Sequence, residues 1–252
     1  MNENIINSFL FHPRKSYQEI TEKDVLVNIQ NNVKIGIRCH LINNSYPTLI
    51  FFHGNGEIVC DYDDIAQIYN QNKINFIIAD YRGYGFSNGT PNIQNTQSDA
   101  HVILDFILEY LHKNQYINKI ILMGRSLGST SVLELTKRYP NDFLGLIVES
   151  GFANEKPLLQ LIRTTAEEIG FIKNAGFLND EKISKYNGPA LIIHAEDDHI
   201  IPYNQAQLLY NNCPSKNKTL IPIPNANHNN ILTKCPNIYF SEIKKFIESI
   251  IK

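Results

Sequence analysis

Short apolar runs recur along the chain and are separated by longer stretches in which apolar and polar residues mix. Uninterrupted runs of this kind predict strands that are buried on both faces of a sheet. Because each separating stretch is long enough for a helix, consecutive strands are expected to pair in parallel, as in an α/β fold. The predicted strands are residues 48–52, 74–79, 120–123, 143–148, 189–195 and 218–223.

Two further strands are predicted ahead of this series, at residues 24–30 and 33–41. Asn31 and Asn32 lie at the junction, and asparagine pairs favour the tight turn of a hairpin. The pattern therefore predicts an antiparallel hairpin beside the parallel strands, which brings the expected central sheet to about eight strands.

The stretches between the strands predict helices, among them residues 61–70, 129–138 and a carboxyl-terminal helix ending near Ile250. Apolar residues three and four apart predict another helix that packs on the sheet. These residues are Ile103, Phe106, Ile107, Tyr110 and Leu111.

The segment 153–185 is the one insertion long enough to form a small cap, of one or two short helices, on a single domain of residues 1–252. Its apolar side chains fit two interpretations, since they could cover the core or line a groove for an acyl chain. They are Leu158, Leu159, Leu161, Ile162, Ile169, Phe171, Ile172 and Phe177.

The pentapeptide 124–128, Gly-Arg-Ser-Leu-Gly, is the strongest chemical signal in the sequence. It follows a predicted strand and precedes a predicted helix, which is the setting of a nucleophilic serine on a sharp turn. Glycines on both sides of Ser126 allow the close approach that such a turn requires. The main-chain N–H of Leu127 would then be a donor for an oxyanion beside a helix N-terminus.

An activated serine of this type needs a carboxylate and then a histidine later in the chain. The acidic run 196–198 follows the predicted strand 189–195, and the loop after strand 218–223 carries His228. Both lie beyond strand ends, where open parallel sheets place their chemistry. The order predicts a catalytic triad of Ser126, a carboxylate from this run, and His228.

The loop after strand 48–52 reads His53-Gly-Asn55-Gly. Glycines after a strand let the main chain turn sharply and expose its N–H groups. The N–H of Asn55 is therefore the expected second donor to an oxyanion, beside that of Leu127. His53 is interpreted as a structural hydrogen-bonding residue rather than a second base.

Taken together, these motifs resemble the α/β-hydrolase superfamily, and within it the compact branch of serine-aminopeptidase-like hydrolases and small protein depalmitoylases. The resemblance runs from about Val25 to the end of the chain. It implies a mostly parallel central sheet of about eight strands, with helices on both faces and a short cap. The residues that carry it are 53–56, 80–87, 124–128, 149–152, 198–202 and 227–228.

The resemblance also distinguishes between the candidate carboxylates. In that family the triad acid is the aspartate before x-x-[Val/Ile]-Pro, and this position is Asp198 rather than Asp197. Some relatives take the acid from the end of the sixth strand, where Glu149 stands. Asp198 is favoured, and Glu149 is its rival.

Composition and charge exclude several classes of function. A formal net charge of -2 gives no electrostatic reason to expect nucleic acid or an anionic membrane surface as partner. No apolar run approaches the roughly 20 residues that span a bilayer, so stable membrane insertion is not expected. The loop with Gly83 and Gly85 lacks the G-x-G-x-x-G leading into a helix, so no nucleotide cofactor is expected.

The four cysteines show no C-x-x-C spacing, so no metal site is expected. They are interpreted as reduced thiols, and with no secretion signal at the amino terminus they favour a cytoplasmic protein. The spacing also permits two disulfides. The cysteines are Cys39, Cys60, Cys213 and Cys235.

The predicted function is that of a serine hydrolase, which cleaves a carboxylic ester or thioester of a small or acylated substrate through an acyl-enzyme. The short cap favours short and medium acyl groups, whereas its leucines and phenylalanines favour a thioesterase for protein-bound acyl chains. A serine peptidase or amidase and an acyltransferase are the alternatives on the same fold. A binding protein without catalysis is a further alternative, although Ser126, Asp198 and His228 are all present.

Overall fold

The structure of the protein is a computed structural model that describes residues 7, 10–30, 32–117, 119–139, 142–161 and 176–251. Its centre is an eight-stranded sheet in the order β1-β2-β4-β3-β5-β6-β7-β8. The strands are β1 Asp24–Asn28, β2 Lys34–His40, β3 Thr48–Phe52, β4 Asn75–Ala79, β5 Ile120–Arg125, β6 Gly145–Glu149, β7 Ala190–Ala195 and β8 Lys218–Ile223.

The direction of the strands follows the prediction. β1 pairs with β2, and β2 with β4, in antiparallel fashion. Every pair from β4 through β3 to β8 is parallel. The expected α/β-hydrolase fold class, with a mostly parallel sheet of about eight strands, is confirmed. Asn31, part of the predicted hairpin turn, lies outside the described residues.

Helices pack on both faces of this sheet. Tyr69 Oη lies 3.8 Å from Met123 Sδ on one face of β5. Gly124, the next residue of β5, faces the helix that begins at Gly128 on the other side of the sheet, because successive residues of a strand point to opposite faces. The helices are α1 Asp63–Gln71, α2 Ile93–Lys113, α3 Gly128–Leu135, α4 Lys156–Leu161, α5 Asn179–Ile183, α6 Asn204–Asn212, α7 Ile231–Lys234 and α8 Pro236–Ile250.

The amphipathic pattern is reproduced in α2, where Ile103, Ile107 and Leu111 are buried in the core. The helix predicted at 61–70 begins two residues later, because residues 59–62 form a 3-10 turn ahead of α1. Capping explains the start of α2, since the side chain of Asn92 accepts a hydrogen bond from the main-chain N–H of Asn95.

The segment predicted as a cap contains α4 and α5 within its described part. Leu159 and Phe177 are buried there, and Phe177 packs edge-on against Phe152 with 5.4 Å between ring centroids. Leu158 faces the cavity above β5 instead. These side chains therefore divide between the two interpretations of the segment. Ile162, Ile169, Phe171 and Ile172 lie outside the described residues.

Candidate active site

Ser126 lies on a sharp turn between β5 and α3. Its φ of 50° is in the left-handed region, which costs a residue with a side chain about 1–3 kcal/mol. A Cβ on Gly124 would lie 2.3 Å from the main-chain oxygen of Gly128, and one on Gly128 would lie 1.9 Å from that of Phe52. Both glycines are therefore required for α3 to pack this closely on the sheet.

Ser126, His228 and Asp198 form a continuous chain of hydrogen-bonding atoms. The Nε2 atom of His228 lies 3.0 Å from Ser126 Oγ, and its Nδ1 lies 2.7 Å from Asp198 Oδ2. All three residues are buried. A neutral imidazole with its proton on Nδ1 donates to Asp198 and accepts from Ser126. The arrangement can therefore take the proton of the serine hydroxyl.

Asp198 is held by four groups. Its Oδ1 accepts hydrogen bonds from the main-chain N–H groups of Ile200 and Ile201, at 2.9 Å and 2.8 Å. Its Oδ2 faces His228 and lies 3.3 Å from Nε2 of the fully buried His194. Burial raises the pKa of Asp198, but hydrogen bonds from His194 and His228 outweigh burial and hold the pKa well below its usual range. Asp198 is therefore ionised at neutral pH.

Glu149, the rival carboxylate, has other partners. Its Oε2 accepts a hydrogen bond of 2.7 Å from the hydroxyl of Tyr239, and its Oε1 lies 3.3 Å from Arg125 Nε. Burial raises its pKa more than Arg125 and Tyr239 lower it. Within the described residues its side chain makes no hydrogen bond to His228.

The two predicted oxyanion donors belong to the same region as Ser126. Asn55 lies in the loop after β3 and lines the cavity that contains Ser126, and Leu127 is the residue before α3. Neither main-chain N–H donates to any atom of the described part of the chain, so both can serve a ligand. His53 is fully buried, with Nε2 3.1 Å from Asp80 Oδ1, as expected of a structural residue.

Arg125 joins three segments around the site. Its Nη2 donates to the main-chain oxygen of His228 at 2.8 Å, and its Nη1 pairs with the carboxylate of Glu57. Glu57 in turn accepts 2.6 Å hydrogen bonds from the main-chain N–H of Gly54 and the hydroxyl of Tyr62. Burial raises the pKa of Glu57, but the charge of Arg125 and the Tyr62 hydrogen bond outweigh burial and lower it. The carboxylate is thus ionised.

A cavity of about 270 Å³ opens above Ser126. This is slightly below the range of about 300–1,000 Å³ that is usual for small-molecule sites. Its wall combines apolar side chains with the polar residues described above. The lining residues are Leu10, His12, Asn55, Glu57, Arg125, Ser126, Leu158, Ile200, His228 and Asn229.

Several residues of this site escaped the sequence analysis. Leu10 and His12 precede the first predicted strand and belong to no periodic pattern. Arg125 occupies the variable second position of the pentapeptide. A charged residue directly before a buried serine nevertheless indicates that the charge has a buried partner. The sequence pattern predicts His194 only as part of the strand 189–195. A polar residue in that apolar run also indicated a buried hydrogen bond.

The described residues contain no helix long and apolar enough to cross a membrane. In the same part of the chain, no three histidine, cysteine, aspartate or glutamate side chains cluster as ligands for a metal ion. The cysteines, all four of them in described positions, are unpaired.

Comparison with known proteins gives one family and one fold. A family model described as "Serine aminopeptidase, S33" matches residues 44–174. Protein bem46 of Schizosaccharomyces pombe is 30% identical over 208 residues, which cover 81% of this chain and 68% of that protein. Across seven curated relatives, the aligned part spans between 61% and 73% of the relative's own length.

Two solved structures are similar in fold. An esterase from Pyrococcus furiosus superimposes with a TM-score of 0.75 at 17% identity, over 95% of this chain and 99% of the esterase. A soluble variant of monoglyceride lipase from Saccharomyces cerevisiae gives a TM-score of 0.72 at 16% identity, over 94% and 98% of the two chains. The matched segment, the relative and the fold agree, and the chain therefore belongs to the serine aminopeptidase S33 family of the α/β-hydrolase superfamily.

Proposed function

We propose that the protein is a serine hydrolase that cleaves a carboxylic ester or thioester. The observation that carries the proposal is the unbroken contact from Ser126 Oγ through His228 to Asp198, at 3.0 Å and 2.7 Å. Membership of the family supports a hydrolase at the coarser level. In this proposal Ser126 is the nucleophile, His228 the general base, and Asp198 the group that orients the imidazole and stabilises its charged form.

The reaction follows from these positions. Ser126 Oγ bonds to the carbonyl carbon while its proton passes to His228 Nε2, and the N–H groups of Leu127 and Asn55 stabilise the oxyanion. The intermediate then collapses, and the leaving alcohol or thiol takes the proton from His228. Water next gives a proton to His228 and attacks the acyl carbon. The carboxylic acid leaves as Ser126 regains its proton.

The cavity supports a short or medium acyl group. Leu10, Leu158 and Ile200 give it an apolar wall, while its volume of about 270 Å³ leaves little room for a long chain. Each buried CH₂ contributes roughly 0.8 kcal/mol, so an extended groove is needed for a strong preference for long chains. We therefore favour esters and thioesters of short and medium acids as substrates.

A peptidase or amidase is the second candidate, and the description of the matched family favours it. The same serine, histidine and aspartate can cleave an amide, since only the leaving group differs. An acyltransferase also shares the first half of the reaction and differs in the acceptor that replaces water.

The test is a substrate series with purified protein. Para-nitrophenyl esters from acetate to palmitate, the matching thioesters, and aminoacyl para-nitroanilides are compared by kcat/KM. We expect the values to peak at short or medium esters or thioesters and to be lower for the anilides. Values that climb steadily beyond about ten carbons would contradict the short-chain preference. Turnover of the anilides without turnover of any ester or thioester would contradict the proposed esterase function and favour the peptidase.

A further inference from the structure

The amino-terminal segment Leu10 to Ser16, called the strap here, lies against the loops of the active site. Leu10 and Phe11 are buried, at 5% and 3% exposure. The main chain of the strap pairs with Gly85: the N–H of Gly85 donates to the oxygen of Arg14 at 2.8 Å, and the N–H of Ser16 donates to the oxygen of Gly85 at 3.2 Å. The strap is therefore anchored at both ends.

The strap binds the side chain of Asn55 through main-chain groups. Asn55 Nδ2 donates to the oxygen of Leu10 at 3.0 Å, and the N–H of His12 donates to Asn55 Oδ1 at 2.8 Å. The hydroxyl of the buried Tyr84 donates to the same Oδ1 at 2.6 Å. Both ends of the amide are thus satisfied, which restricts the orientation of Asn55.

The strap also contacts Gly56, the residue after Asn55, through the side chain of Arg14. Arg14 Nε donates to the main-chain oxygen of Gly56 at 3.1 Å, and the Arg14 guanidinium pairs with Asp61. Gly54 and Gly56 flank Asn55 and add little restraint of their own. Glu57 holds the Gly54 side of this loop, and the strap adds restraints at Asn55 and Gly56.

The strap also forms part of the cavity wall. Leu10 and His12 line the cavity above Ser126, together with Leu158 and Ile200. A substrate bound at Ser126 would therefore contact the strap directly. Through its hydrogen bonds to Asn55, the strap also contacts the loop whose main-chain N–H is the expected oxyanion donor.

We propose that the strap is a working part of the active site, which holds Asn55 so that its main-chain N–H faces the oxyanion, and which limits acyl size through Leu10 and His12. This inference rests on the proposed function for the role of the Asn55 N–H. The strap groups are positioning groups, because they act through Asn55. An oxyanion donor contributes only when it is already oriented, and loss of one donor costs about 10²–10³ in kcat.

The test replaces the side chain of Asn55 and keeps its N–H. Asn55→Leu removes the hydrogen bonds to Leu10 and His12. We expect kcat for para-nitrophenyl butyrate to fall by about 10- to 100-fold, within the cost of one lost donor, with KM changed little. Affinity for a trifluoromethyl ketone, which forms a tetrahedral adduct with the serine, should fall by a similar factor, because the adduct carries the oxyanion.

Asn95→Leu is the matched control. Asn95 Oδ1 accepts from the main-chain N–H of Asn92 at 2.9 Å, and its Nδ2 donates to the oxygen of Thr90 at 2.9 Å. The Asn95→Leu variant therefore loses the same kinds of hydrogen bond as Asn55→Leu, but at the start of α2, which does not line the cavity. We expect its kcat to match the wild type. Arg14→Met is a second variant, which releases Gly56, leaves Asn55 intact, and should also lower kcat.

Hydrogen exchange separates failure of the inference from failure of the proposed function. In both strap-related variants, the amides of Gly54 and Glu57 should exchange faster than in the wild type, whether or not the protein cleaves an ester. An inert wild type would overturn the proposed function, and the exchange data would still decide the positioning role. Unchanged kcat and unchanged exchange in a folded Asn55→Leu protein would overturn the inference, and if that variant does not fold, the same result in Arg14→Met would do so.

Selectivity for acyl-chain length tests whether Leu10 forms part of the wall that limits the size of the acyl group. Leu10→Ala enlarges the cavity at a position that contacts no reacting atom, so we expect kcat/KM for the hexanoate ester to rise several-fold relative to the acetate ester. An unchanged ratio, with Leu10→Ala folded and active, would remove Leu10 from the wall of the substrate site.

Discussion

Two buried carboxylates lie at the ends of β6 and β7, and their neighbours predict different roles. Asp198 lies 2.7 Å from His228, whereas Glu149 is bound by Tyr239 and Arg125. Replacement of Asp198 by Asn should lower kcat by about 10⁴-fold, because the imidazole would be held in the wrong tautomer. Glu149→Gln should lower kcat far less. Steady-state kinetics of both folded variants give the ranking, and the reverse ranking would move the acid to β6.

Among the elements, one guanidinium at the end of β5 joins the loops after β3 and β8 to the end of β6. Arg125 contacts Glu57, Glu149 and the main-chain oxygen of His228. Removal of one partner from a fully buried ion pair costs about 3–5 kcal/mol, since the other charge is left without compensation. Arg125 and Glu57 are only partly buried, so the lower end of that range, about 3 kcal/mol, is the upper bound for this pair. We therefore expect Arg125→Met to lower the free energy of unfolding by up to this amount, measured by urea denaturation.

The double variant of Arg125→Met with Glu57→Gln is the control for that interpretation. It should recover part of the lost stability, because one uncompensated carboxylate is removed with the cation. If the double variant loses as much free energy of unfolding as the two single variants together, Arg125 and Glu57 are not coupled.

Prediction of the elements succeeded where a local pattern determines them. β7 and β8 follow from uninterrupted apolar runs, and their observed bounds agree with the predicted ones to within a residue. The strap carries no such pattern. It is held by hydrogen bonds to Asn55, which is more than 40 positions away, and by main-chain groups that any residue supplies. Contacts of this kind cannot be derived from spacing alone.

The site residues were likewise predictable only as far as motifs reach. The turn motif identified Ser126, and chain order identified His228, because their chemistry requires particular residue types in sequence. The resemblance was needed to choose Asp198 over its acidic neighbours. The contact between His194 and Asp198 emerges only from the turn that follows β7.

Across the whole molecule, the sheet assembles the site from distant parts of the chain. Asn55, Ser126, Asp198 and His228 follow β3, β5, β7 and β8, and parallel strands bring their carboxyl ends to one edge. No fragment of the chain contains all four residues in a local unit. Activity should therefore be lost together with global unfolding.

Asp198 and Glu134 are among the carboxylates that couple the stability of the fold to acid. Burial raises the pKa of Asp198 and of Glu134, but neighbouring basic side chains outweigh burial and lower both pKa values. Unfolded aspartate and glutamate titrate near about 3.9 and 4.3. Their stabilisation is therefore complete above those values and is lost as pH falls through and below them.

We accordingly expect the free energy of unfolding in urea to be lower at about pH 3.5 than at about pH 6. The variant with Asp198→Asn and Glu134→Gln should show a smaller difference between these two pH values, because it lacks both groups. An equal difference in the variant and the wild type would assign the acid sensitivity to other side chains.

Active-site labelling tests the central claim, that Ser126 is an activated nucleophile, most directly. The folded protein is treated with a fluorophosphonate, which reacts with activated serine hydroxyls, and the adduct is located by peptide mass spectrometry. We expect one adduct, on Ser126, and none in a Ser126→Ala protein whose circular dichroism matches the wild type. An adduct on another residue, or labelling that persists in folded Ser126→Ala, would contradict the assignment.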